Sequence, residues 1–154
     1  MAQLTTQSFR IQASAPVQRP AAEVFDVLSR PASFVDLGGD GSVRATTFGP
    51  EQLSAVGQRF GTRMRMFGVP YRITSRVVTF EPGRVVAFRH PLGHHWRWEV
   101  RPIAPDRCEV VETYDLRPSR WRRVIAAMGY LEKQRSNVEA SVDNVANHLE
   151  QGRP

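Results

Sequence analysis

An α+β fold, with helices packed on one face of an antiparallel sheet, follows from three observations in the sequence. From Ser42 to Leu116 apolar and polar residues alternate in one run after another, each bounded by Gly or Pro. A short helical pattern precedes this block. A long one follows it. The 154 residues fit a single domain, 1–154, able to remove about 70% of its unfolded surface from water.

The elements read as follows. In SFRIQASA, Phe9, Ile11, Ala13 and Ala15 alternate with polar neighbours, which predicts a first strand with one buried face. VQRPAAEVFDVLSRP places Pro20 in a first helical turn and an apolar stripe of Val24, Phe25, Val27 and Leu28 before Pro31. PASFVDL adds another turn, and GGDG at 38–41 breaks the chain. No Lys-Ser/Thr pair and no helix start follow GGDG, so it reads as a plain turn and not as a phosphate cradle. Strands are expected at 42–48, 58–66 and 70–80, then in RVVAFRH, in HHWRWEVR and in DRCEVVETYDL. In QRFGTRMRM, Phe60, Thr62, Met64 and Met66 share one face and Arg59, Arg63 and Arg65 the other. From Ser119 to Leu149 one long helix is expected, with Val124, Met128, Leu131, Val138, Val142, Val145 and Leu149 on one stripe and Gly152 and Pro154 ending it. Arg135 interrupts the stripe.

Composition excludes several classes. MAQLTTQSFR has no charged start followed by an apolar run, and VIAAMGYL at 124–131 is far short of the roughly 20 residues of a membrane helix. The expectation is a cytoplasmic protein, monomer or homodimer, without membrane insertion. Cys108 is the single cysteine, so it forms no internal disulfide and no thiolate zinc site; it reads as a small strand residue. The net charge of +6 rests on 20 Arg and one Lys scattered along the chain, the densest group being Arg117, Arg120, Arg122 and Arg123. That dispersion argues against a nucleic-acid partner.

HPLGHHWRWEV at 90–100 concentrates three of the four histidines. Pro91, Leu92 and Gly93 between two alternating runs predict a hairpin turn flanked by His90 and His94, each satisfied or exposed. Trp96, Trp98 and Val100 fall on one face of the second strand, His95, Arg97 and Glu99 on the other. A zinc ion needs three or four ligands converging at about 2.0–2.1 Å. His94 and His95 point apart, and although His90 and His94 could converge across the turn, no third ligand is evident nearby, so no metal is expected; nor is any other cofactor.

The chain resembles the START-like, Bet v 1-like (SRPBCC) superfamily, in its bacterial polyketide cyclase/dehydrase and lipid-transport branch. The resemblance is carried by IQASAPVQRPAAEVFDVLSRPASF, FEPGRVVAFRH, WRWEVRPIAPDRCEVVETYDL and the closing NVEASVDNVANHLE. It implies a helix-grip fold, in which a curved antiparallel sheet wraps a long C-terminal helix around a cavity for hydrophobic or amphipathic molecules. Some members cyclise or dehydrate polyketides, others only bind or carry, and a few associate with ribosomes. No catalytic residue carries over. PASFVDLGG lacks the Trp common at the end of the second short helix, a departure at the cavity mouth.

Phe60, Met64, Tyr71, Phe88, Trp96, Trp98 and Tyr114 are helix-facing sheet positions, and Met128 and Leu131 are helix positions that would face them. This set suits an adaptable pocket for a small hydrophobic ligand, lipid or polyketide-like; it suits a solid core equally. Arg135 on the helix and Glu112 on the last strand are charged residues on faces that should be buried. Either they pair, or they orient a ligand's polar group, or Arg135 reaches water and Glu112 sits at a bulge. A cyclase or dehydratase using Glu112, Tyr114 or Arg135 is the enzyme alternative. An RNA- or ribosome-associated module is the third.

Overall fold

The computed structural model describes residues 2–151. Eight strands form one antiparallel sheet: β1 (Gln3–Gln7), β2 (Arg10–Val17), β3 (Val43–Phe48), β4 (Arg59–Met66), β5 (Val69–Glu81), β6 (Val85–Arg89), β7 (His95–Ala104) and β8 (Arg107–Asp115). Their order is β1-β2-β8-β7-β6-β5-β4-β3, so an early strand, β2, pairs with the last, β8, next to the β1 edge of the sheet. Helices α1 (Ala21–Leu28) and α2 (Phe34–Leu37), joined by a 3-10 turn at Pro31–Ser33, fill the connection from β2 to β3. After β8 come α3 (Arg122–Ala127) and the long α4 (Tyr130–Gln151). This is the helix-grip arrangement. Register shifts in the β3–β4, β5–β6 and β7–β8 pairings curve the sheet around α4.

The sequence dictates which half of that curve is solid. On β2 the inward residues Ile11, Ala13, Ala15 and Val17 are all buried, and two of them are alanines. Small side chains let α4 approach closely, so Val138, Val142 and Val145 pack to zero exposure against this side. Helix α1 closes it with Val24, Phe25 and Leu28, packed on β7 and β8. The β3–β6 side carries the larger Phe60, Met64, Tyr71 and Phe88, and there the helix stands off.

Three expectations need correction. The strand expected first is the second. A further strand, QLTTQ, precedes it and pairs with it as the sheet edge. The long helix is two helices, because Gly129 takes φ +79 between α3 and α4. With the helical phase lost there, Val124 (56% exposed) and Met128 (78% exposed) leave the stripe for the surface. Third, Arg135, expected among the cavity residues, does not enter the core; the alternative in which it reaches water holds, and it sits half exposed beside Glu132, 3.5 Å away on the same helix. The stop at Gly152 and Pro154 lies outside the described residues.

Candidate ligand cavity

Between α4 and the β3–β8 side of the sheet lies a cavity of about 110 Å³. At about 10–15 Å³ for each water-sized group, that is room for several atoms of a ligand before any side chain moves. Its walls are aromatic and thioether groups. Phe34 of α2, Phe60 of β4 and Phe88 of β6 form a ring cluster with centroids 5.1–6.0 Å apart. Met64, Met66, Tyr71, Ile73, Trp96 and Trp98 continue the lining. Each comes from an inward position of its strand, as period-two alternation requires.

Of the side chains expected at a cavity, Phe60, Met64, Tyr71, Phe88, Trp96, Trp98 and Glu112 do line it. Tyr114 is fully buried one layer behind, its ring 4.8 Å from that of Trp96 and 5.0 Å from that of His94. Leu131 packs on the core instead of the cavity. Met128 and Arg135 are excluded, the first by the break at Gly129 and the second by its turn toward Glu132. Glu112 neither pairs with Arg135 nor faces solvent at a bulge: it is 5% exposed, on the cavity wall.

Polar groups that were not expected at the cavity share the lining. His90, His94, Asp40, Tyr130, Gln134, Asn137 and Ser141 all face it. The 90–100 hairpin forms as expected, with Gly93 N–H donating to the His90 carbonyl at 2.8 Å. His94, however, is neither exposed nor satisfied. It is 1% exposed, and neither ring nitrogen has a partner. His90 stacks on it at 4.2 Å. On α4, the Asn137 side-chain amide donates to Gln134 at 2.7 Å, leaving Asn137 Oδ1 unpartnered. Ser141 accepts from Gly39 N–H at 2.9 Å, which ties the loop after α2 to the helix. The GGDG turn is therefore also a packing contact, since a Cβ on Gly39 would overlap the Asn137 carbonyl oxygen. Helix periodicity offered the missing signal: Gln134, Val138, Ser141 and Val145 follow one face, with polar residues at its cavity end.

Burial sets the protonation states. It pushes the Glu112 carboxyl well above its ordinary range, with the Ser141 hydroxyl partly opposing and Asp40 adding to the shift. Burial lowers His94 to about 3, helped by His90 and His95, and lowers His90 to about 4. The Tyr130 hydroxyl rises to about 12, again mainly by burial. The cavity therefore favours a neutral acid and two neutral imidazoles. Among the described residues, no Lys or Arg lines it. An unpartnered buried polar atom costs about 1–3 kcal/mol. Glu112 Oε1, both His94 nitrogens, the Asn137 oxygen and the Tyr114 hydroxyl are five such atoms in and immediately behind this wall.

The comparisons agree with the geometry. Residues 8–150 match the family described as polyketide cyclase / dehydrase and lipid transport. The protein Rv0088 of Mycobacterium tuberculosis is 35% identical over 148 residues, 94% of this chain, and the chain spans 66% of that relative's length. Among solved structures, protein Ms6760 of Mycobacterium smegmatis superposes with a TM-score of 0.69 at 10% identity, covering 98% of both chains. The Zhui aromatase/cyclase of Streptomyces sp. R1128 gives 0.59 at 14% identity over 91% of this chain and 94% of that one. At such identities the structures attest the fold alone, and no helix among the described residues is long and apolar enough to cross a membrane. With the family match spanning nearly the whole sequence and the sheet gripping α4 as described, the chain belongs to the polyketide cyclase / dehydrase and lipid transport family.

Proposed function

We propose that the protein binds a small, uncharged, hydroxylated aromatic or amphipathic molecule in this cavity. The observation that carries the reading is the set of unpartnered buried atoms of His94, Glu112 and Asn137 set among aromatic walls. A ligand that hydrogen-bonds them offsets the cost of burying them. The charge of the ligand follows from the lining. With Asp40 and Glu112 present and no cation, a carboxylate or phosphate group would enter without a counter-charge.

A matched pair of probes tests this. An environment-sensitive apolar dye is bound, then displaced with 2-naphthol or with 2-naphthoate at neutral pH. The naphthol is expected to compete at least about tenfold better, equivalent to one hydrogen bond and one avoided charge burial. Equal competition by the carboxylate would contradict the charge argument, and failure of both to displace the dye would contradict the site.

A cyclase or dehydratase is favoured by one further observation: a carboxyl biased toward its acid form shares the cavity with neutral imidazoles, the states an acid and a base need before proton transfer. Recovery of a polyketide-like ligand with water lost, abolished in Glu112→Gln, separates this reading from binding alone.

A further inference from the structure

The rim of the cavity exposes apolar side chains from three separate segments. Phe67, at the β4–β5 turn, is 90% exposed. Leu92, in the turn between β6 and β7, is 48% exposed. Trp121, Val124 and Met128, spaced by three and four along α3 and its flanks, are 49–78% exposed. Contacts bring the segments together. Lys133 Nζ lies 4.8 Å from the Phe67 ring centre, and Lys133 N–H reaches back to the Gly129 carbonyl beside Met128. Ser119 Oγ donates to the Leu92 carbonyl at 2.6 Å, just before α3. Their chain neighbours Met66, His90 and Tyr130 line the cavity, so the three segments lie beside it.

Phe67 is the least expected member. It takes φ +52 followed by Gly68 at φ +77, a two-residue hairpin turn that favours Asn-Gly and disfavours a bulky aromatic. Phe9 also takes a positive φ, but its ring is packed against the core. At Phe67 no burial offsets the strain. An aromatic held in water at a strained tip is better explained by what it meets there than by folding.

Cations accompany the apolar groups. Arg120 lies over the Trp121 ring at 5.1 Å, as Lys133 lies over Phe67. Among the described residues Arg120, Arg122, Arg123 and Lys133 make no ion pair, while Glu132 beside them is engaged with Arg135. Exposed Trp, Phe and Met ringed by free Arg and Lys match the chemistry of an anionic bilayer surface, where rings and stems enter the headgroup layer and the charges stay at phosphate level.

We propose that this rim docks peripherally on anionic lipid surfaces, presenting the cavity mouth to the membrane. The proposal goes beyond ligand binding and does not depend on what fills the cavity.

Flotation with vesicles tests it, using phosphatidylcholine alone or mixed with phosphatidylglycerol, at low and high salt. The protein is expected to float with the anionic vesicles at low salt and to be released at high salt. Phe67→Asn should preserve or raise the melting temperature, because Asn suits the turn, while reducing vesicle partitioning about tenfold. Charge reversal of Arg120 and Arg123 together should reduce it at least about tenfold. The fluorescence blue shift on binding should disappear in Trp121→Phe, which keeps Trp96 and Trp98. No flotation with anionic vesicles would overturn the proposal. So would partitioning unchanged by Phe67→Asn and the double reversal, or binding of single-stranded RNA without vesicle binding.

Discussion

His94 shows how far one side chain departs from its sequence context. Beside a Pro-Gly turn it reads as satisfied or exposed, yet, immediately ahead of β7, it packs inward against Tyr114 and Trp96. The sign of its effect on stability follows directly. Its folded value, about 3, lies below the ordinary 6.5, so between those values the unfolded chain binds more protons and stability falls as pH falls. At pH 5 the loss from His94 is about 2 kcal/mol, with a smaller one from the partly exposed His90. Glu112 acts in the opposite sense. Its raised value means that its stability is complete below about 4.5 and is lost as pH rises through the folded value. Between pH 7 and 5, a window above the titration of the salt-bridged carboxylates in which Glu112 opposes the histidines, acidification should cost His94→Gln less stability than it costs the parent, read from urea midpoints. Glu112→Gln should flatten the decline on the alkaline side. An acid slope unchanged in His94→Gln would mean that the imidazole is solvated.

At the scale of elements, the long C-terminal helix is where periodicity misled. The stripe from Val124 to Leu149 keeps its spacing across Gly129, so nothing in the pattern marks the reversal of backbone sign there. The two readings of that glycine differ in sign. Within one continuous helix Gly129→Ala would stabilise by about 1 kcal/mol. At φ +79, with no atom near enough to clash with a Cβ, the same change costs about 1 kcal/mol through backbone strain alone. Thermal melting of Gly129→Ala should therefore show a lower midpoint, and a raised one would restore the single helix. The missed β1 has a different cause: QLTTQ pairs only as an edge and carries one apolar residue, Leu4, so it leaves no alternation to read. The inner strands were legible throughout, even β6 and β8, which bury residues on both faces.

For the whole molecule, the order of strands and helices was enough for the class, and the quoted motifs for the family. The aromatic half of the cavity was legible too, because Phe60, Met64, Phe88, Trp96 and Trp98 occupy alternating positions that must face inward. Its polar half was not. Glu112 was visible as a charge on a buried face, but its surroundings stayed open, with pairing to Arg135 one alternative among several on an unbroken helical phase. Gln134, Asn137 and His94 reach the cavity only through tertiary placement. The central claim is that this space exists to be filled, and native mass spectrometry of the purified protein tests it most directly. A species heavier by one small uncharged molecule per chain is expected, either co-purified or restored by incubation with 2-naphthol. Only the bare protein mass, persisting in excess naphthol, would contradict it.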